Sequence, residues 1–401
     1  MNKVQENIVE ILKYSIHNKK IELNKKENVL WHEVFEECKK HNIEALVYYG
    51  IHLNTLKNID RDIIERWKKQ TFMSNVYQIN HINQISNILS ILKDKDIPVI
   101  VLKGLVIRDL YPKSELRTMG DADILVHKKD IDKVINILNN LGYEEEDRHD
   151  PHIEFMKNNS KIEVHWSLTN EGMFNGMDEF NHEIWLNSIE VKIGDSAALS
   201  MCNEDLLLYL CIHMAKHFKY SGFGIRQLCD VLCLVEKCGN SINWDSFMKK
   251  AKRSGIDKFS ICIFSICNKL FEMSIPDELE YFYIEEDEYL DLIINNIFYN
   301  GVHGKKDKVE SRVKMLSNNN DICKTNFLIS FKNIYFPHSE KLGKRYEYAK
   351  KNKAFLPIAW IHRIINTIFR TDYSLSDKIN LSIKSTGISK KHSELLNWLE
   401  L

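Results

Sequence analysis

Two short stretches hold the residues most able to do chemistry. Val101-Leu102-Lys103-Gly104 closes an aliphatic run in a lysine and a glycine, and Asp121-Ala122-Asp123-Ile124-Leu125-Val126 opens another with two aspartates. Side chains at i and i+2 of a strand share a face, so Asp121 and Asp123 project together. Like charges held that close repel unless a cation lies between them. Mg²⁺ or Mn²⁺ is the expected cation, since such ions take one or two carboxylates together with substrate phosphates. The alternative for Asp-x-Asp alone is a turn cap. Its surroundings therefore decide.

Those surroundings read as strand, helix, strand, helix. Ile97 to Val101 is a short buried-strand signal closed by Gly104, and Leu105 to Tyr111 can form a brief helix that Pro112 stops. After Val126, Ile131, Val134, Ile135, Leu138 and Leu141 recur at helical spacing before Gly142. Ile153 to Met156 and Lys161 to Trp166 then flank Lys157-Asn158-Asn159-Ser160 as a hairpin with a polar turn. In its second strand Ile162, Val164 and Trp166 share one face, and Lys161, Glu163 and His165 the other. Glu163 is thus expected to face the Asp pair as a third metal-ligating carboxylate. Two-metal transfer places its ions roughly 3.5–4 Å apart, and three carboxylates suit it. A solvated open sheet face is the competing reading for Glu163.

With these residues in view, the block from Lys103 to Trp166 resembles the uncharacterised nucleotidyltransferase-like family of the polymerase-β-type nucleotidyltransferase superfamily. The resemblance rests on Lys103-Gly104, Tyr111-Pro112, Arg117, Asp121, Asp123 and Glu163-Val164-His165-Trp166. His213, His217, Arg226 and Asp230 fit the family's helical segment, and Phe336-Pro337 with Arg345-Tyr346 its C-terminal part. The resemblance implies an α+β fold: a small mixed-sheet nucleotidyltransferase palm flanked by N- and C-terminal helical regions. Better-characterised relatives carry Gly-Ser before the Asp pair, where this chain has Gly104-Leu105, and many have Asp where this chain has Glu163. Phosphate contacts are therefore expected from Lys103, Arg117 and the backbone around Gly104.

Composition sets the frame. At 401 residues two or three cores are expected, and six prolines with fifteen glycines favour helix outside the sheet. A net charge of −1 supplies no general attraction to nucleic acid. Nine cysteines without a Cys-x-x-Cys pair suggest reduced thiols in a cytoplasmic protein. Met1 to Glu10 lacks the apolar core of a signal peptide. No run reaches the roughly 18 apolar residues of a membrane span. The closest, Phe355 to Phe369, is broken by Pro357, His362, Arg363 and Asn366 and reads as a core helix.

Periodicity divides the chain into an N-terminal helical region (1–95), a catalytic module (96–200) and a C-terminal helical region (201–401). A helix from Asn203 carries Asp205, Tyr209, His213 and His217 at steps of four, a polar stripe on an otherwise apolar element. His213 and His217 have zinc-ligand spacing, but the glutamate of a metalloprotease motif is absent. Arg226 and Asp230 read locally as a helix ion pair. With the resemblance, all four become candidates for lining a cleft between module and helices. Lys341, Lys344, Arg345, Lys350, Lys351 and Lys353, interleaved with Tyr346 and Tyr348, form a basic patch that reads as a solvated helix face.

The leading expectation is metal-dependent transfer of a nucleoside monophosphate from an NTP to a small-molecule, peptide or protein acceptor. Asp121, Asp123 and Glu163 would hold the ions, and Lys103 and Arg117 would neutralise the triphosphate. Another donor, such as a nucleotide-sugar, or a catalytically silent nucleotide-binding module are the alternatives. Nothing in the sequence supports a nucleic-acid acceptor.

Overall fold

Alternation along the strands sorts this chain into a core face and a polar face. Val99, Val101, Ala122, Ile124, Ile153, Phe155, Ile162 and Val164 are buried in one apolar cluster, while the residues between them in β2, β4 and β5 carry most of the charge. The computed structural model describes residues 1–23, 29–170, 172–284, 288–301, 348–349, 352–369 and 392–401.

Helices come first: α1 (Lys3–Ile16), α2 (Trp31–His41), α3 (Glu44–Gly50), α4 (Leu53–Leu56) and the 34-residue α5 (Arg61–Asp94). Asn2 and Gln5 cap the start of α1 reciprocally, and Asp60 accepts from the Asp62 amide to start α5. The second half of α5 lays Ile82, Ile85, Ile88, Leu89 and Leu92 on the sheet.

The sheet-forming segment follows: β1 (Val99–Val101), α6 (Gly104–Ile107), β2 (Asp121–Val126), α7 (Ile131–Asn140), β3 (Glu144–His149), β4 (His152–Lys157), β5 (Ser160–His165), α8 (Met177–Leu186), β6 (Ile189–Ile193) and β7 (Ser196–Ser200). The sheet has seven strands in the order β3-β4-β5-β2-β1-β7-β6. Pairing is parallel at β2–β5 and β1–β7 and antiparallel elsewhere. Between β4 and β5, Asn158 (φ 47°) and Asn159 (φ 67°) both take the left-handed conformation that a two-residue turn of matching twist demands. Val134 and Leu138 of α7 join α5 in covering the apolar face.

After the sheet come α9 (Asn203–Tyr220), α10 (Ile225–Cys238), α11 (Trp244–Ser254), α12 (Asp257–Phe271) and α13 (Glu288–Asn300). Phe218, Phe223, Phe259, Phe247 and Phe264 are fully buried among them. The architecture is α+β, a mixed sheet with helical regions before and after it. Residues 1–218, 222–304 and 400–401 form one compact unit, and 219–221 with 305–399 a second. In the second, Leu356 at the start of α14 (Leu356–Phe369) packs on Ala349 and Ala359. No helix among the described residues is long and apolar enough to cross a membrane. Phe336-Pro337, Arg345-Tyr346 and most of the basic patch lie outside the described residues.

Candidate active site

The polar face is ordered by strand register. Asp123 of β2 pairs with Glu163 of β5, Glu163 with Glu154 of β4, and Glu154 with Asp147 of β3. Cross-strand partners share a face, so four carboxylates from four strands form one row. The next row holds His149, His152 and His165, with Leu125 at its β2 end. Asp121 and Lys161 are partners on the other side of the acidic row.

Charges within the row are closely matched. His165 Nε2 lies 3.0 Å from Asp123 Oδ1 and 3.5 Å from Glu163 Oε2. Lys161 Nζ bridges Glu154 at 2.9 Å and Glu163 at 3.0 Å. Lys103 Nζ reaches Asp123 Oδ2 at 3.2 Å and sits 5.7 Å from the Tyr209 ring centroid. Lys103 follows β1 with φ 45°, a left-handed conformation costing about 1–3 kcal/mol in a residue with a Cβ. The turn aims its side chain along the polar face.

These partners split the three acids. Burial alone would raise Asp123, but Lys103 and the His165 hydrogen bond hold it well below the usual carboxylate range. Glu163 is likewise favoured by burial toward the neutral form, yet His165, Lys103 and Lys161 hold it at about 2. Asp121 goes the other way, pushed up to about 6 by burial and by the charges of Asp123 and Glu163.

The remaining expected residues fall into two places. Tyr209 and His213 of α9 stand over the acidic row: Tyr209 meets Lys103, and Lys103 and Asp123 both act electrostatically on His213. Burial, with the Lys103 charge, holds His213 well below its ordinary value. His217 Nε2 is 3.1 Å from His213 Nε2. Asp205, the first residue of the stripe, is instead paired with Lys250 at 2.5 Å. The second place is a buried network behind Gly104. Arg117 grips Asp230 through Nε at 3.1 Å and Nη2 at 2.6 Å, and the Tyr111 hydroxyl donates to the same carboxylate at 2.7 Å.

That network corrects the local reading of Arg226 and Asp230 as a helix pair. Asp230 takes Arg117, and Arg226 donates to the Thr118 carbonyl at 2.6 Å, while Thr118 Oγ1 donates to the Asn42 carbonyl at 2.6 Å. Arg117 is 7% exposed and neutralised, which leaves its expected role on a triphosphate without support in this placement. Gly104 has a reason of its own. A Cβ there would lie 2.2 Å from Arg117 Nη1 and 2.7 Å from Met119 Sδ, so the guanidinium covers the backbone first expected to meet phosphate.

The donor set suits a divalent cation. Ligand atoms of Asp123, Glu163 and His165 lie within 4.8 Å of one another, and Asp121 is two positions along the same strand face. Carboxylate oxygens are the hard donors that Mg²⁺ and Mn²⁺ prefer, and an imidazole is better tolerated by Mn²⁺. The residues present fit such an ion, with Asp123 and Glu163 as oxygen donors and His165 as nitrogen donor, and Asp121 is not part of that converging group. Lys161, and His165 beyond its place in the Glu163–Trp166 motif, were given no role from the sequence. The signal was there, because the alternation that turns Glu163 to the polar face turns both of them with it.

Comparison with known proteins adds the family. Among the solved structures that align at low similarity are three. One is the antibiotic-resistance factor ANT(2'')-Ia (10% identity, TM-score 0.34, covering 43% of this chain and 92% of that one). Another is the lincosamide antibiotic adenylyltransferase LnuA with lincomycin bound (17%, TM-score 0.28, 38% and 94%). The third is an antigenic nucleotidyltransferase-like protein from Paracoccidioides brasiliensis (10%, TM-score 0.31, 50% and 96%). No curated protein matches the sequence. The family described as "Uncharacterised nucleotidyltransferase" matches residues 27–272, which span β1 to β7 and the Asp230 network. The chain belongs to the uncharacterised nucleotidyltransferase family.

Proposed function

We propose that this protein is a metal-dependent nucleotidyltransferase that moves a nucleoside monophosphate from an NTP to a small-molecule, peptide or protein acceptor. The observation that carries this reading is the register of Asp123 with Glu163, with Asp121 on the same face and Lys103 against Asp123.

In the reaction an acceptor oxygen or nitrogen forms a bond to the α-phosphorus. The bond from that phosphorus to the bridging oxygen breaks, and pyrophosphate leaves with the electron pair. Asp121, Asp123 and Glu163 would hold Mg²⁺ or Mn²⁺, which would supply Lewis acidity to the phosphoryl transfer. Glu163 orients the acceptor, whose proton passes to solvent, since a carboxylate held at about 2 is a weak base. Lys103 offsets negative charge as it moves toward the leaving group. His165 fixes Asp123 relative to Glu163, and Tyr209 and His213 wall the row on the α9 side.

A nucleotide-sugar donor would use the same acids and is distinguished by its products. A silent binding module fits less well, because all three acids are present on one face. The test is a mass-resolved screen of nucleotides and nucleotide-sugars with Mg²⁺ or Mn²⁺, following pyrophosphate release and nucleotidylated products, the protein itself included. Metal-dependent pyrophosphate release that Asp123→Asn abolishes supports the reading. Nucleotide binding without turnover in any mixture would favour the silent module.

A further inference from the structure

We infer that Lys216 of α9 binds the polyphosphate tail of the donor, a role resting on the nucleotide-transfer reading above. Tyr209, His213 and Lys216 stand at i, i+4 and i+7 of α9 and so share one face of the helix. The first two reach Lys103 and the field of Asp123. The ammonium of Lys216 interacts electrostatically with Lys103, Glu163 and Asp123, and its charge is felt at His152. Lys216 therefore stands over the acidic row.

The other cations around the row already have partners. Lys103 is held by Asp123, Lys161 by Glu154 and Glu163, Arg117 by Asp230, and Arg226 by the Thr118 carbonyl. Lys216 has no carboxylate within ion-pairing distance among the described residues, although it is partly buried. Burial, then the nearby Lys103, push its pKa below the ordinary lysine value. A half-buried cation without a carboxylate at ion-pair distance destabilises the protein by itself. An anionic ligand would compensate it, and a triphosphate brings the required charge to the place where Arg117 cannot supply a partner.

The assignment predicts an unusual pair of effects for Lys216→Met in the full-length protein. Affinity falls while thermal stability holds or rises, because the variant removes a half-buried charge that no carboxylate pairs directly. The probes are inorganic tripolyphosphate and ATP, GTP, CTP and UTP, each with Mg²⁺ or Mn²⁺, titrated calorimetrically. For the tightest of them, Lys216→Met should bind roughly 10- to 100-fold more weakly, the range of a charge-assisted hydrogen bond, while Lys216→Arg keeps most of the affinity. The corresponding nucleoside monophosphate should lose much less. Equal affinity in wild type and Lys216→Met, or equal losses for mono- and triphosphate, would overturn the assignment and leave the nucleotidyltransferase reading intact. Absence of binding to every probe by the wild-type protein would overturn both.

Discussion

His165 and Asp123 meet across neighbouring parallel strands, with the imidazole Nε2 3.0 Å from the carboxylate Oδ1. Burial opposes a charged imidazole, but its bonds to Asp123 and Glu163 raise the His165 pKa above the ordinary value. The ring thus holds two carboxylates in register for a cation. Replacing it, as in His165→Ala, should weaken Mn²⁺ binding about 10- to 100-fold. Titration of the protein with Mn²⁺ by electron paramagnetic resonance measures this directly. Unchanged affinity would leave His165 a packing residue.

Asp123→Asn and Asp121→Asn should each lower turnover by about 10²–10³-fold, the scale of losing one electrostatic element of a transfer site. Pyrophosphate release at limiting Mg²⁺ is the measurement. Retained activity in both variants would exclude this centre.

Asp230→Asn removes the counter-charge of the buried Arg117. Breaking a buried pair from one side costs about 3–5 kcal/mol, because the other charge stays behind. The urea midpoint should fall accordingly with an unchanged m-value. A change below about 1 kcal/mol, the size of an exposed pair, would mean that water reaches the guanidinium.

Gly104→Ala should be costly although the added group is a single methyl. Its Cβ would meet the Arg117 guanidinium at 2.2 Å, so either the Asp230 pair or the Lys103 turn must move. Overpacking of this kind costs about 1–3 kcal/mol. Lower stability together with lower turnover is expected from paired denaturation and rate measurements, and full activity would show that the turn is not coupled to the site.

His81, beside the Asp121 backbone, supplies a pH dependence of stability. Burial, then the charge of Arg108, lower its pKa to about 4, and its Nδ1 lies 3.0 Å from Ser160 Oγ beside the stacked Tyr77 ring. The folded state disfavours the imidazolium, so the contribution is complete above about 6.5, the unfolded value, and is lost as pH falls toward 4. The loss is on the order of 3 kcal/mol for such a shift. Comparing stability at pH 7 and pH 4.5 in wild type and His81→Gln isolates it. Identical pH slopes would show that His81 titrates normally in the fold.

The sequence was most informative where a period of two had to hold. Ile162, Val164 and their polar neighbours show which face Glu163 is on, and the pairing of β2 with β5 then places it beside Asp123. It was least informative at β3, whose Glu144-Glu145-Glu146-Asp147-Arg148-His149 is exposed throughout and carries no apolar alternation. β7, Ser196-Ala197-Ala198-Leu199-Ser200, is equally plain in composition and is held by pairing with β1 and β6. The Arg117–Asp230 pair was hidden for another reason. Its partners are 113 positions apart, while local spacing offered Arg226 as the nearer choice.

The two-residue turn at Asn158-Asn159 has a consequence for how this site can be lost. Core and chemistry occupy alternate positions of one strand, so the turn sets a phase as well as a connection. Deleting a single residue there would advance β5 by one step against β4, offering Ile162 and Val164 to solvent and pressing Glu163 and His165 toward α5. Such a chain would keep nearly its whole composition and lose hydrophobic cohesion and metal affinity in the same step. Stability and catalysis should therefore fail together for length changes in this hairpin, and separately for substitutions at Glu163.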